Sequence, residues 1–219
     1  HIVSVSTITT VEQLKGKRGG VNRLGTTSDL GLRLALAKLG IEPDKDVKII
    51  PTGGTAERFA ALSKGITQFT IIPEPFVTQA EKLGLRNLYN ISDLKIPFWW
   101  NGILSREAIV KAKRPLMLKL ARAMVEAIHV IKTEKEYAIS LFKKNLGVTD
   151  PVGLERAYKD YSNVFPEVPY PTPDGVKTML DYLARTNPKA AAADPKAFVD
   201  PSLIKELDAS GFIKQLYKK

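Results

Sequence analysis

Gly16-Lys-Arg-Gly-Gly-Val-Asn-Arg-Leu-Gly-Thr-Thr-Ser-Asp29 is the most informative stretch of this sequence, and the apolar run 30–39 follows it directly. This order is typical of a short strand, a hydroxyl-rich turn and a helix. The last glycine ends the strand, and Thr26, Thr27 and Ser28 are residue types that cap helix N-termini. Leucine and alanine recur on two faces of the helix, so both faces are predicted to be buried.

The start of this helix is also a candidate site for an anion. The first backbone N–H groups of a helix have no partner within it, and three hydroxyl groups stand beside them here. The same residues serve equally well as a plain helix cap without a ligand. The sequence leaves both interpretations open for Thr26, Thr27 and Ser28.

Strands and helices alternate through the first hundred residues. Glycine and proline separate the segments, and Thr55 is predicted to begin a helix that packs through Ala56, Phe59, Ala60 and Leu62. The alternation predicts an α/β fold with a parallel-rich sheet. Further predicted strands cover 2–8, 47–50, 66–72 and 85–91, and further predicted helices cover 55–64 and 76–83.

Three polar loops, at 26–28, 53–55 and 73–75, fall between a predicted strand and the helix after it. The carboxyl ends of parallel strands meet at one edge of the sheet, where ligands bind in such folds. Gly53 and Gly54 would let the backbone approach a ligand closely, although a plain turn explains them as well. Glu74 either selects an amine or hydroxyl on a ligand or caps the following helix, and the cap is the preferred interpretation.

The composition changes after Lys95. The segment Pro97-Phe-Trp-Trp-Asn-Gly-Ile-Leu104 is predicted to be a strand-like aromatic connector. Trp99, Trp100 and Phe98 are candidates for an apolar wall that contacts the tail of a ligand. The alternative is that strand alternation directs one tryptophan to the core and only the other to the cleft. Asn101 is a further candidate for a polar contact.

The rest of the chain is predicted to be nearly all helical, beginning with a long helix at 115–133. On that helix His129 shares a polar face with Lys119, Arg122 and Glu126, because their spacings are three or four residues. His129 is therefore predicted to be a surface residue rather than a catalyst.

The composition restricts the possible functions. The 33 Lys plus Arg residues exceed the 23 Asp plus Glu residues by ten, but they are dispersed rather than interleaved with aromatic side chains. A solvated basic surface is therefore favoured over a nucleic-acid interface. There is no cysteine and there are only two histidines, which argues against thiolate chemistry and against a metal site. No cofactor is predicted, and no apolar run approaches transmembrane length.

An ordered set of short motifs resembles ABC-transporter solute-binding proteins, most closely the NMT1/THI5-like branch alongside binders of sulfonates, taurine, nitrate and pyrimidine precursors. The resemblance covers essentially the whole chain. It rests on Leu14-Lys-Gly-Lys-Arg-Gly-Gly-Val21, Gly25-Thr-Thr-Ser-Asp29, Gly53-Gly-Thr55, Leu62-Ser-Lys-Gly65, Ile71-Ile-Pro-Glu-Pro-Phe76, Gly102-Ile-Leu-Ser-Arg-Glu107, Asp200-Pro-Ser-Leu203 and Leu207-Asp-Ala-Ser-Gly-Phe212.

The resemblance implies a type II periplasmic-binding fold, in which two α/β lobes close on a ligand. Residues 11–95 would form one complete lobe, and residues 105–219 would form the helical part of the other. Residues 1–10 and 96–104 would be the crossover strands. The family's first strands and helices have no counterpart before His1, so we expect an N-terminally truncated chain whose helices expose an apolar face or cover it by self-association.

The function implied by the resemblance is recognition without chemistry. The chain would be the periplasmic or extracytoplasmic binding component of an ABC importer, with a permease as its partner. It would bind a small organic anion through Thr26, Thr27, Ser28, Gly53, Gly54, Thr55, Glu74, Trp99, Trp100 and Asn101.

Two alternatives stay open on the same fold. One is an enzyme of the pyrimidine-biosynthesis or menaquinone-biosynthesis type, although the yeast-type pyrimidine synthase needs a cysteine-rich segment that this sequence lacks. The other is the ligand-sensing domain of a transcriptional regulator. That version normally follows a helix-turn-helix segment.

Overall fold

A computed structural model describes residues 1–218, and these residues divide into two compact units. Unit 1 contains His1–Trp100 together with Thr178–Ala191. Unit 2 contains Asn101–Lys177 and the residues from Ala192 onward. The predicted division was 11–95 and 105–219, so the return of 178–191 to unit 1 was not foreseen. Lys219, the last residue of that predicted second part, lies outside the described residues.

Unit 1 is built on one five-stranded sheet whose strand order is β3-β2-β4-β1-β5. Strands β2, β3 and β4 run parallel, whereas β1 lies antiparallel between β4 and β5. The predicted α/β class with a parallel-rich sheet is therefore confirmed, with one reversed strand. The strands are β1 (Ile2–Ser4), β2 (Arg18–Val21), β3 (Lys48–Pro51), β4 (Phe69–Ile71) and β5 (Arg86–Tyr89).

Three helices cover the two faces of this sheet, each following a parallel strand. They are α1 (Thr27–Lys38), α2 (Thr55–Ser63) and α3 (Phe76–Lys82). Alternation along β1 shows the layering, because Ile2 packs in the cluster with α1 and its neighbour Val3 packs in the cluster with α2 and α3. The three predicted helices are confirmed to within three residues at each end.

The buried face of α2 differs from the prediction. Leu62 is buried as expected, but Ala56 and Ala60 are exposed. Their places in the interior are taken by Ala61 and by the side chain of Arg58. The prediction was wrong because it assigned the interior by apolarity alone.

Unit 2 consists of helices within the described residues. Its centre is a cluster in which Ala121, Val125, Ile204, Leu207 and Ile213 are buried together. The helices that begin or lie in this unit are α4 (Glu107–Ala112), α5 (Arg114–Thr133), α6 (Lys135–Leu146), α7 (Pro151–Val164), α8 (Pro173–Leu183), α10 (Ser202–Ala209) and α11 (Phe212–Leu216), and the short α9 (Pro188–Ala191) belongs to unit 1.

His129 on α5 is not an open surface residue. Its ring lies edge-to-face against Tyr217, with ring centroids 4.8 Å apart, and it is half-buried. The helical spacing placed it correctly beside Arg122 and Glu126. That spacing gave no information on Tyr217, which follows α11 and covers this part of α5.

The two segments predicted to be crossover strands, 1–10 and 96–104, differ in structure. Residues 2–4 form β1 inside the sheet, and residues 96–104 form no strand. A strand needs a partner for its backbone groups, and Pro97 contributes no N–H donor. The aromatic segment is therefore an irregular connector.

Unit 2 exposes several large apolar side chains. Leu104 is 88% exposed, and Ile103, Leu116 and Val164 are each more than half exposed. Ile103 and Leu104 lie outside the helices, so the expected apolar helix face stays a prediction. Self-association through that surface stays a prediction.

Candidate functional site

Three helix N-termini meet at one edge of the sheet in unit 1. Because β2, β3 and β4 are parallel, their carboxyl ends lie at the same edge, and each is followed by a short loop and a helix. The loops contain residues 22–26, 52–54 and 72–75. We call them loops A, B and C, and together they form the strand-end site.

Loop A is held by its own hydroxyl groups. The hydroxyl of Thr26 donates to the carbonyl oxygen of Arg23 at 2.6 Å and lies 3.1 Å from the hydroxyl of Ser28. The buried Ser28 Oγ also accepts a hydrogen bond from the backbone N–H of Asn22 at 3.0 Å. These hydroxyls shape the loop, and no side chain caps α1. The backbone N–H groups of its first turn are therefore the donors left to a ligand.

A buried carboxylate accepts a hydrogen bond from the backbone of loop A. Asp29 is 4% exposed and accepts hydrogen bonds from Gly25 N–H at 2.7 Å and from Arg33 Nε at 2.5 Å. Arg33 also pairs with Asp44. Burial acts to lower the pKa of Arg33, but its hydrogen bonds to Asp44 and Asp29 outweigh burial and raise that pKa. The positive charge of Arg33 is therefore compensated within this cluster.

Loop B connects directly to loop A. The N–H of Gly53 donates to the carbonyl oxygen of Asn22 at 3.2 Å. Gly53 has a positive φ of 97°, a region that suits glycine. A Cβ added to Gly54 would lie 2.7 Å from Oε2 of Glu57, so the carboxylate of Glu57 covers this turn.

Arg58 joins loop B to the end of β4. Its guanidinium donates to the carbonyl oxygen of Ile71 at 3.0 Å, to the carbonyl oxygen of Gly53 at 3.2 Å and to the hydroxyl of Thr55 at 3.1 Å. The residue is only 6% exposed, and burial lowers the pKa of the guanidinium. A continuous set of hydrogen bonds thus runs from Ser28 through Asn22, Gly53 and Arg58 to Ile71.

Loop C contains Glu74, which is 4% exposed. Its carboxylate accepts hydrogen bonds from the N–H of Thr78 at 3.1 Å and from the hydroxyl of Thr78 at 2.9 Å. These bonds satisfy a free N–H in the first turn of α3, which is what a cap does. The contacts support the interpretation of Glu74 as a cap.

The aromatic connector reaches the start of α1. A Cβ added to Gly31 would lie 2.6 Å from Cζ3 of Trp100, so the indole ring rests on the second turn of that helix. Phe98 packs edge-to-face on Trp100 with centroids 5.7 Å apart. Trp100 is 36% exposed and thus presents part of its ring to solvent beside α1.

The structure brings together most of the predicted site residues of unit 1. Hydrogen bonds link Ser28, Gly53 and Thr55 through their neighbours, and Gly54 and Thr26 lie in the same two loops. Thr27 is exposed at the first position of α1. Trp99 is half-buried, and the contacts described for residues 1–218 do not join it to the loops. Asn101 is exposed and is the first residue of unit 2.

Three residues of the strand-end site escaped the sequence reasoning: Asn22, Glu57 and Arg58. Glu57 had a usable signal, because a Glu at the third helical position often folds back over the helix start. Asn22 and Arg58 had none, since the Asn22 carbonyl accepts from the N–H of Gly53 and Arg58 donates to the carbonyl oxygen of Ile71, both in segments that follow later in the sequence.

Comparison with known proteins assigns the chain to a family. The family model described as NMT1-like matches residues 5–143, which is more than half of the 219 residues. The chain belongs to the NMT1-like family. The predicted resemblance is thereby confirmed, and no curated protein matches the sequence significantly.

Solved structures resemble this NMT1-like chain in fold. The periplasmic sulfonate-binding protein SsuA from Methylobacillus flagellatus KT matches with a TM-score of 0.68 and 20% identity, over 97% of this chain and 67% of that protein. The alkanesulfonate-binding protein SsuA from Xanthomonas axonopodis pv. citri, bound to MOPS, matches with a TM-score of 0.67 and 18% identity, over 94% and 67%. The desulfurization enzyme DSZB matches with a TM-score of 0.59 and 15% identity, over 95% and 75%.

These likenesses show that the chain has the fold of periplasmic binding proteins, as predicted. The chain spans about two thirds of the length of the SsuA proteins. In residues 1–218 no helix is long and apolar enough to cross a membrane. The same residues contain no group of three or more His, Asp or Glu side chains arranged to hold a metal ion.

Proposed function

We propose that this NMT1-like chain binds a small organic anion, of the sulfonate or carboxylate class, as the solute-binding component of an ABC importer. The observation that carries the proposal is the hydrogen-bonded link between loops A and B and the end of β4. It brings the free N–H groups of α1 and the hydroxyl of Thr55 to one edge of the sheet.

The electrostatics of this edge favour an anion. Backbone N–H groups at a helix N-terminus carry partial positive charge, and several helices that begin at one edge add their fields. Thr55 accepts a hydrogen bond from Arg58, which leaves the hydroxyl hydrogen of Thr55 to donate elsewhere. Sulfonate and carboxylate oxygens are acceptors only and match such donors.

The aromatic connector supports an organic rather than an inorganic anion. Trp100 and Phe98 form an apolar surface beside the start of α1. An apolar tail attached to the anionic head would contact that surface, and its burial would add to the affinity. Family membership and the fold shared with sulfonate-binding proteins agree with this class of solute.

The proposal includes an extracytoplasmic location and a permease partner, as in an importer. It assigns no chemistry to the site. The desulfurization enzyme with the same fold keeps the enzyme alternative open.

The test is a titration followed by NMR of the backbone amides. Ethanesulfonate, taurine, benzoate and a pyrimidine are added in turn to the protein. The proposal predicts shifts at Thr27, Ser28 and Thr55 for at least one anion, and recovery of that anion unchanged after long incubation. Shifts confined to unit 2, or conversion of the added compound, would contradict it.

A thermal-shift measurement provides an independent check. A ligand that binds only the native state at about 100 times its Kd stabilises a protein by about 2.7 kcal/mol. The melting temperature of unit 1, followed by emission of Trp99 and Trp100, should rise with the same anion and with no neutral compound of equal size.

A further inference from the structure

Unit 1 contains two buried arginines whose surroundings differ, Arg33 on α1 and Arg58 on α2. Arg33 is 8% exposed and is paired with two carboxylates, those of Asp29 and Asp44. Arg58 is 6% exposed, and within residues 1–218 no carboxylate lies within ion-pair distance of it. The charge of Arg33 is therefore compensated inside the fold, whereas that of Arg58 is held by neutral oxygen atoms.

The neutral partners of Arg58 are all at the strand-end site. They are the carbonyl oxygens of Ile71 and Gly53 and the hydroxyl of Thr55. Glu57 is the carboxylate that acts on Arg58 electrostatically, and it is exposed, so water screens that interaction. A buried charge without a counter-ion is costly, and a bound anion would reduce that cost.

We propose that Arg58 is a positioning residue that gives the strand-end site its preference for an anionic head group over a neutral one of the same shape. This inference rests on the proposed function. Arg58 acts in two ways: it fixes loop B against the end of β4 through its forked hydrogen bonds, and it places a permanent positive charge below the start of α2.

The role of the charge is distinct from the role of the hydrogen bonds. A buried charge acts through a medium of low dielectric constant, so it favours an anion without touching it. The hydrogen bonds set the geometry of loop B and affect charged and neutral ligands alike. The ratio of the affinity for a charged ligand to that for a neutral ligand of the same shape therefore measures the effect of the charge alone.

The experiment uses methanesulfonate and dimethyl sulfone, which have nearly the same shape but differ by one negative charge. Their dissociation constants are measured by NMR titration for the wild-type protein and for Arg58→Met, Arg58→Lys and Arg86→Met. Arg86 is the matched control, because its Nε also donates to a backbone carbonyl, that of Ser6 at 2.9 Å, but it is exposed at the start of β5.

The wild-type protein should prefer methanesulfonate. Arg58→Met should reduce that preference at least about tenfold, the loss expected for one desolvated charge interaction. Arg58→Lys keeps the charge but loses the several directed N–H donors of the guanidinium group. It should therefore weaken the binding of both ligands and retain most of the preference for the anion. Arg86→Met should change neither constant.

Each contrary outcome has its own meaning. If wild-type protein binds neither compound, the proposed function fails first. If wild-type protein prefers the anion and Arg58→Met keeps the preference, the role of Arg58 is overturned and the proposed function stands. If Arg58→Met does not fold, Arg58→Lys decides, because loss of the preference with the charge still present would overturn the inference.

Discussion

Trp100 rests directly on Gly31, and the space that a side chain on Gly31 would need is filled by the indole ring. An added Cβ would lie 2.6 Å from Cζ3 of Trp100, well inside the contact distance of two carbon atoms. The aromatic connector is thus fixed to α1 at a position where the sequence has its smallest residue.

Gly31→Ala should displace Trp100 toward solvent. Alanine favours the helix by about 1 kcal/mol over glycine, and this gain offsets much of the lost ring contact. We therefore expect a red shift of the tryptophan emission, measured in a Trp99→Phe background, with a stability change of less than about 1 kcal/mol. Gly102→Ala is the control, because no atom lies within 4 Å of the Cβ it would add. An unchanged emission spectrum for Gly31→Ala would contradict the contact.

Ser28→Ala should destabilise unit 1. It removes the acceptor of the Asn22 N–H, and a buried donor without a partner costs about 1–3 kcal/mol. Denaturant unfolding followed by tryptophan emission measures the change, since both tryptophans belong to unit 1. Thr27→Ala, one residue earlier and exposed, should stay within about 0.5 kcal/mol of wild type. Equal effects of the two substitutions would show that loop A is not held by Ser28.

Gly19→Ala should disrupt the centre of the sheet. The added Cβ would lie 2.5 Å from two ring carbons of Phe69, which is fully buried. Overpacking of this kind costs about 1–3 kcal/mol. Phe69→Leu alone also destabilises by leaving a cavity, but it should relieve the clash, so the double substitution should cost less than the sum of the two. If the changes in the free energy of unfolding of the two single substitutions simply add in the double variant, the contact between Gly19 and Phe69 is not supported.

Glu57→Gln should strengthen binding of an anion at the strand-end site. Its carboxylate covers the turn at Gly54 and repels a second negative charge there. A charge near a helix N-terminus is worth about 0.3–1 kcal/mol, so methanesulfonate should bind roughly two- to fivefold more tightly. Glu42→Gln, after α1 and outside the three loops, is the matched control. Weaker binding by Glu57→Gln would indicate that the carboxylate supports the site instead.

Protonation of Asp200 at low pH should make unit 2 less stable. Hydrogen bonds from the side-chain hydroxyl and backbone N–H of Ser202, and the charge of Arg114, lower the pKa of Asp200. A lowered pKa stabilises the fold above the unfolded-state value, and this stabilisation is lost as the pH falls below about 4. Asp200→Asn should remove that part of the pH dependence, by less than about 1 kcal/mol because the carboxylate is exposed. Circular dichroism during denaturation measures it, with the exposed Asp93→Asn as control.

The sequence predicted the elements of unit 1 well because local signals agreed there. Glycines and prolines separate segments of clear strand or helix period, and loops A, B and C follow from that order alone. Thr26, Thr27 and Ser28 were all candidates for the cap of α1, yet no side-chain cap forms and the hydroxyl of Thr26 donates to the carbonyl oxygen of Arg23. Whether a hydroxyl accepts from a free N–H of the helix depends on the exact path of loop A, which no residue type specifies.

Other features depended on contacts between distant parts of the chain. Arg58 was not among the residues of α2 predicted to pack, but it is buried and donates to the carbonyl oxygens of Ile71 and Gly53. The segment 178–191 joins unit 1 although it follows Asn101–Lys177 of unit 2 in the sequence. When a polar side chain is buried by hydrogen bonds to backbone atoms of other elements, the hydrophobic pattern of its own helix does not reveal that burial.

The position of β1 has a consequence for how the protein is made. Ile2 pairs with both Ile71 and Tyr89, so β1 is synthesised well before the two strands that lie on either side of it. At about 5–20 residues per second, the nascent chain carries an unmatched β1 for several seconds. During that interval the edges of β1 are open to pairing with other chains, and a chaperone that shields β1 would raise the yield of folded protein.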